Sequence, residues 1–117
     1  MFHDRLSPAY LAGFFDGEGT FFIGKQIKKG KEYPHASVLL SQSGEEGLTL
    51  LTEIQKRFGG RLYEHLKPGQ HKATKSAYKL YWNRVEAIQL IRCLLPYLIL
   101  KEGKALEVLM YLTRNGE

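Results

Sequence analysis

The stretch PAYLAGFFDGEG, residues 8–19, constrains the fold more than any other part of this sequence. Ser7 at an N-cap and Pro8 at the first helical position are a strong start signal, which predicts a helix from Pro8 to about Asp16. Ala9, Ala12, Gly13 and Gly17 recur about one turn apart, so two copies of this helix can approach with their backbones nearly touching. The end of the helix is the unusual part. Asp16 and Glu18 stand between glycines where carbonyl groups without intrahelical partners concentrate negative partial charge. Acids there are disfavoured by a few tenths to about 1 kcal/mol each, so the helix by itself does not explain them.

The pattern changes after Gly19. GTFFIGKQIKK alternates Phe21, Ile23, Lys25 and Ile27 with Phe22, Gly24, Gln26 and Lys28, which predicts a strand of roughly eight residues. A polar turn, KKGKEY, leads into YPHASVLLSQ, where Ala36, Val38 and Leu40 oppose His35, Ser37, Leu39 and Ser41, and the two strands make a hairpin. Ser43 and Glu46 form a capping-box pair before Leu48, Leu51, Ile54 and Phe58, and Gly59 stops this second helix. GRLYEHLK and SAYKLYWN, joined by PGQHKAT, read as a second hairpin. It has Leu62, Leu66, Tyr78, Leu80 and Trp82 inside, and Arg61, Tyr63, His65, Lys79 and Tyr81 outside. Asn83 with Glu86 opens a third helix, on which Cys93 falls on the apolar side, and LILKEGKALEVLMYL predicts a fourth.

The order αββαββαα predicts an α+β fold in which an antiparallel sheet is covered by helices on one face only. At 117 residues the chain is expected to be one domain, 1–117, with a single core. The open face would carry Phe22, Gln26, Lys28, His35, Ser37, Arg61, Tyr63, His65, Lys79 and Tyr81. This mixture of aromatic, amide and cationic side chains suits phosphates and base edges. Charge agrees: residues 20–35 and 60–84, which include Lys28, Lys29, Arg61 and Lys79, carry a balance of +8, while the other 76 residues carry −3. A polyanion-facing surface on an ordinary domain follows.

No apolar run approaches the length that spans a bilayer, and the N-terminus lacks signal-peptide character. One cysteine, Cys93, makes no intrachain disulfide, and an intracellular setting is expected. His3, His35, His65 and His71 lack metal-ligand spacing, so no zinc site is expected.

LAGFFDGEG resembles the nonapeptide that names the LAGLIDADG homing endonucleases, matching at Leu11, Ala12, Gly13, Asp16 and Gly19, with Glu18 in place of the second aspartate. The element order resembles the family's αββαββα core over almost the whole chain. Gln42 at the end of the second strand and Lys101 after LPYLIL fall where single-motif members have their other anchors. The resemblance implies a saddle-like sheet and a homodimer. The motif helix would lie at the interface through Ala9, Ala12, Gly13, Asp16 and Gly17.

The resemblance further implies site-specific hydrolysis of double-stranded DNA at a long, near-palindromic target, as in intron or intein homing. Glu18 and the carbonyl of Gly17 would hold Mg²⁺, or another divalent cation such as Mn²⁺ or Ca²⁺. Gln42 would orient water, and Lys101 would supply positive charge or assist proton transfer. Asp16 is expected to structure the helix end. The basic residue that some members place shortly after the glutamine has no counterpart here, where Glu45 and Glu46 stand instead. The chain ends at Glu117, where many relatives continue with further helices, which implies less flanking contact with DNA. The alternative is a non-catalytic nucleic-acid binder on the same fold, either an RNA maturase or a DNA-binding regulator.

Overall fold

The hydroxyl of Ser7 accepts the N–H of Tyr10 at 3.0 Å and Pro8 follows at the first helical position, so helix α1 (Pro8–Glu18) starts where its sequence signals place it. It runs two residues beyond the predicted end. This description comes from a computed structural model and covers residues 5–70 and 74–114; His3, His71 and Lys72 lie outside the described residues. Next come β1 (Gly19–Lys28), β2 (Lys31–Ser43), α2 (Gly44–Phe58), β3 (Arg61–Leu66) and β4 (Ala77–Asn83). Helix α3 (Arg84–Leu94), a 3₁₀ turn (Leu95–Tyr97) and α4 (Glu102–Arg114) complete the order. Among the described residues, no helix is long and apolar enough to cross a membrane.

The four strands form one antiparallel sheet in the order β1-β2-β4-β3. The first hairpin closes tightly. Lys28 pairs with Lys31, and the two residues between them, Lys29 and Gly30, both have positive φ (51° and 80°), the turn whose twist matches that of paired strands. The two hairpins meet through β2 and β4, where Val38 pairs with Trp82 and Leu40 with Leu80.

Alternation along each strand separates two faces. Phe21, Ala36, Val38, Leu40, Leu80 and Trp82 point under the helices and are buried, as predicted. They meet Leu11, Ala12 and Phe15 of α1, Leu51 and Ile54 of α2, Ile91 and Leu94 of α3, and Val108 of α4 in one core. Its aromatic centre is Phe15, whose ring lies 5.4 Å from Phe21 and 5.7 Å from Trp82. The indole N–H of Trp82 donates to the carbonyl of Phe58 at 3.0 Å, so the one polar atom of this large side chain is satisfied. Phe58 itself is only partly buried.

The structure corrects several expectations. Neither Ser43 nor Asn83 caps its helix with its side chain. Each ends a strand and pairs on the open face, Ser43 with Ala77 and Asn83 with Ser37, so its side chain follows the strand's alternation. Residues with left-handed backbone, Gly44 (φ 75°) and Arg84 (φ 51°), then turn the chain into the helix. Glu86 accepts the N–H of Gly60 at 3.2 Å and so ties α3 to the α2–β3 turn.

In β3, Glu64 pairs with Tyr78 but Leu66 pairs with Ala77, leaving His65 at a bulge. Ala77 is two residues from Lys79, so Leu66 joins the open face and leaves the core side predicted for it. The fourth helix begins at Glu102, not within Leu98–Leu100: Leu98 has extended backbone (ψ 143°), and the residues after it bond Asp16, as described below. Cys93 is exposed, not core: it lies between the buried residues Ile91 and Leu94 and turns away from both.

Gly19 joins the motif helix to the sheet. A β-carbon there would lie 2.0 Å from the ring of Phe15, which sits directly over the chain. Gly19→Ala is therefore expected to force the central aromatic aside and lower stability by about 1–3 kcal/mol in urea denaturation. Ala at exposed Gly103 of α4, where a β-carbon meets nothing within 4 Å, is the control.

Candidate active site and nucleic-acid interface

The sheet face opposite the helices is a groove of about 870 Å³. Strand pairing builds its floor in rows: Phe22–Ser37–Asn83, then Leu39–Tyr81–Arg61, then Ser41–Lys79–Tyr63. Lys28, Arg61, Lys79 and Arg84 line it, with the amides Gln26 and Asn83, and no described Asp or Glu does. Four cations with hydrogen-bonding amides and no described acid suit a phosphate backbone flanked by base edges. Aromatic pairs brace the surface: Tyr63 meets Tyr81 edge-on at 5.7 Å, and Phe22 lies 6.0 Å from His35.

The structure brings most of the predicted interface residues into this groove: Phe22, Gln26, Lys28, His35, Ser37, Arg61, Tyr63, Lys79 and Tyr81. Ser37, however, is only 5 % exposed, at the middle of the row between Phe22 and Asn83. Lys29 sits at the tip of the first hairpin, and His65 at the bulge, and neither lines the groove. Asn83, Arg84 and Leu39 do line it. Leu39 was on the predicted outer face, but Asn83 reads as a helix cap, and only the register opposite Ser37 reveals its place.

At the other end of β1 the motif helix delivers Gly17 and Glu18, both exposed, immediately before the sheet begins. Gly19 pairs with Leu40, so the chain at Glu18 stands beside the last residues of β2, where half-buried Gln42 lies. A β-carbon on Gly47 would come within 2.8 Å of Gln42, so the close seating of α2 on that residue depends on a glycine.

Asp16 answers half of the puzzle posed by two acids at a helix end. Its carboxylate accepts the backbone N–H of Ile99 at 2.8 Å and that of Lys101 at 2.9 Å. The Lys101 ammonium in turn donates to the carbonyl of Gly19. Burial alone would raise the Asp16 pKa. The backbone hydrogen bonds from Lys101 and Ile99, the nearby backbone N–H of Leu100 and the charge of Lys101 together outweigh it and hold the carboxyl below its ordinary value.

One row of small residues on α1 is bare, flanked by exposed Tyr10, whose ring stacks on Phe14. Ala9, Gly13 and Gly17 are exposed, and a β-carbon on Gly13 or Gly17 would meet nothing within 4 Å. Ala12 departs from the predicted stripe: it is fully buried and packs inward against the protomer's own core. Near the same helix end Ile99 and Leu100 are 81 % and 79 % exposed.

A family model described as LAGLIDADG endonuclease matches residues 11–110. The chain belongs to the LAGLIDADG endonuclease family. A comparison with curated proteins gives no match. Among solved structures, the homing endonuclease I-CvuI in complex with its target in the presence of Ca is 27 % identical, with a TM-score of 0.76 over 97 % of this chain and 70 % of that one. The same enzyme on the I-CreI target with Mg, its DNA not cleaved, is 26 % identical with a TM-score of 0.78, covering 100 % and 72 %. The archaeal intron-encoded I-Vdi141I complexed with DNA shares the fold at 17 % identity, with a TM-score of 0.73 over 97 % of this chain and 72 % of that one.

For this LAGLIDADG chain the Asp16 arrangement has a pH signature. A carboxyl whose folded pKa is depressed adds stability above its unfolded value, about 3.9, and loses that contribution as pH falls through the folded value. The stability difference between the wild type and Asp16→Asn is expected at full size above about pH 5. It should shrink steadily below about pH 4 in urea denaturation followed at several pH values.

Proposed function

We propose that this LAGLIDADG chain is a homodimeric, divalent-metal-dependent endonuclease that cuts both strands of DNA at a long, near-palindromic site. The observation that carries this reading is the combination of three features along the motif helix and the strand that follows it. Exposed Glu18 ends a helix with a bare row of small residues, the Lys101 ammonium lies on the next residue's carbonyl, and the strand that begins there runs on into a groove with four cations and no described acid.

The donor set suits Mg²⁺. Among the described residues no three His, Cys, Asp or Glu side chains converge on one point, so a single chain offers one carboxylate, that of Glu18, and the carbonyl of Gly17 at a helix C-terminus. Mg²⁺ commonly takes one or two carboxylates and completes its octahedron with water and substrate phosphate. Packing of two α1 helices along Ala9, Gly13 and Gly17 would bring both copies of Glu18 together, and the converging negative charge would favour such an ion. When bound, the ion supplies Lewis-acid stabilisation of the scissile phosphate and of the departing oxygen.

The protein's own groups do the rest. Gln42 orients the attacking water in line with the phosphorus–O3′ bond. Lys101 places positive charge where the phosphoryl oxygens become more negative in the transition state. Lys28, Arg61, Lys79 and Arg84 neutralise backbone phosphates, while Gln26, His35, Tyr63, Tyr81 and Asn83 present polar groups to base edges.

Selection for cleaved sites from a random DNA library with Mg²⁺ tests activity, symmetry and specificity together. Glu18→Gln is expected to bind the selected site with nearly unchanged affinity and not to cut it. Cleavage by that variant at the wild-type rate removes Glu18 from the chemistry, and a library that yields bound but uncut DNA favours the non-catalytic binder. Gly13→Val tests the dimer. Its β-carbon meets nothing within the protomer, so folding is expected to survive while sedimentation shows a shift from dimer to monomer.

A further inference from the structure

Lys101 is held at three atoms, by groups that are not themselves part of the proposed chemistry. Its N–H is bound by Asp16 at 2.9 Å, its carbonyl accepts the N–H of Ala105 at 2.9 Å in the first turn of α4, and its ammonium donates to the carbonyl of Gly19. The second Asp16 oxygen takes Ile99 at 2.8 Å, so both oxygens of one carboxylate fix alternate residues of the segment between the 3₁₀ turn and α4. That segment has little else to hold it: Ile99 and Leu100 are about four-fifths exposed. Asp16 and Gly19 are three residues apart on the motif helix and the start of β1, so the same piece of chain that presents Glu18 also sets where the lysine begins and where its ammonium ends.

From this geometry we infer that Asp16 is the positioning residue for Lys101. Its carboxylate pins the lysine's backbone so that the ammonium rests beside the Glu18–Gly19 step. The inference deepens the proposed function and rests on the reading of Lys101 as a group that acts on the scissile phosphate. A lysine has four rotatable side-chain bonds, and the anchored backbone removes the further freedom of the chain that carries it. The acids of the motif then divide the work. Glu18 faces the substrate, and Asp16 faces inward to hold the cation that Glu18 needs nearby.

Two readouts test this on the intact chain. The first needs no cleavage. Limited acetylation followed by mass spectrometry compares the labelling of Lys101 with that of exposed Lys28 in the wild type and in Asp16→Asn, which keeps the size of the side chain but loses one acceptor. Lys101 labelling is expected to rise several-fold in the variant while Lys28 is unchanged, with circular dichroism confirming the fold. If Asp16→Asn does not fold, Asp16→Glu, which displaces the carboxylate by one methylene, carries the same comparison.

The second readout is a double-mutant cycle on the cleavage rate with Asp16→Asn and Lys101→Met. Asp16→Asn alone is expected to slow cleavage roughly 10- to 100-fold with little change in DNA affinity. Added to Lys101→Met it is expected to cost nothing further. Unchanged Lys101 labelling, or losses that multiply in the double mutant, would overturn the inference. Failure of the wild type to cut any DNA would instead remove the proposed function, and the labelling would still decide whether Asp16 holds the lysine.

Discussion

Two backbone N–H groups, those of Ile99 and Lys101, convert an acid at the unfavourable end of a helix into the anchor of the site. The helix dipole disfavours a carboxylate there by at most about 1 kcal/mol, whereas a hydrogen bond to a charged group contributes about 1.5–3 kcal/mol and Asp16 makes two. Even at the low end for a partly exposed group, the hydrogen bonds win, which is why the carboxyl is held below its ordinary pKa despite burial. From this contact follow the start of α4 at Glu102, the outward display of Ile99 and Leu100, and the Lys101 ammonium on the carbonyl of Gly19.

The groove depends on a second constraint, the packing of Phe15 between Phe21 and Trp82. Strand side chains alternate, so burying one set of residues under the helices commits the other set to the open face. Gly19 permits the close approach of Phe15, and Gly60, where a β-carbon would come within 2.9 Å of Trp82, permits the approach of the α2–β3 turn. The core and the cationic lining are therefore two sides of one arrangement. Changing the packing around Trp82 would tilt β4, which carries Lys79, Tyr81 and Asn83.

Much of this was legible in the chain. Alternation identified both hairpins, and the register kept Phe22, Gln26, His35, Lys79 and Tyr81 together on one face. The Ser7–Pro8 start and the Gly59 stop are local signals, made by residues within a turn of each other, and they held. What misled were polar residues whose local reading competed with a longer-range partner. Asn83 and Ser43 look like caps, yet strand pairing claims their direction; Glu86 looks like a capping partner, yet it bonds Gly60, 26 residues away. The apolar run Leu98–Leu100 continues a helical pattern, but Leu98 is extended and the segment after it docks on an acid more than 80 residues earlier.

The bulge at His65 and the inward turn of Ala12 belong with these cases. Each moves a residue off a predicted face through a contact or a register slip that periodicity does not encode. By itself, the amino-acid order determined the elements, their succession, the basic character of one set of segments and the motif that marks the family, because these depend on neighbours within a few residues. Only the tertiary structure decided which polar groups meet: Asp16 with the backbone of Lys101, Lys101 with Gly19, Asn83 with the groove. Those meetings join residues far apart in the chain, and their geometry is set by packing of the core beneath them, which no local pattern specifies.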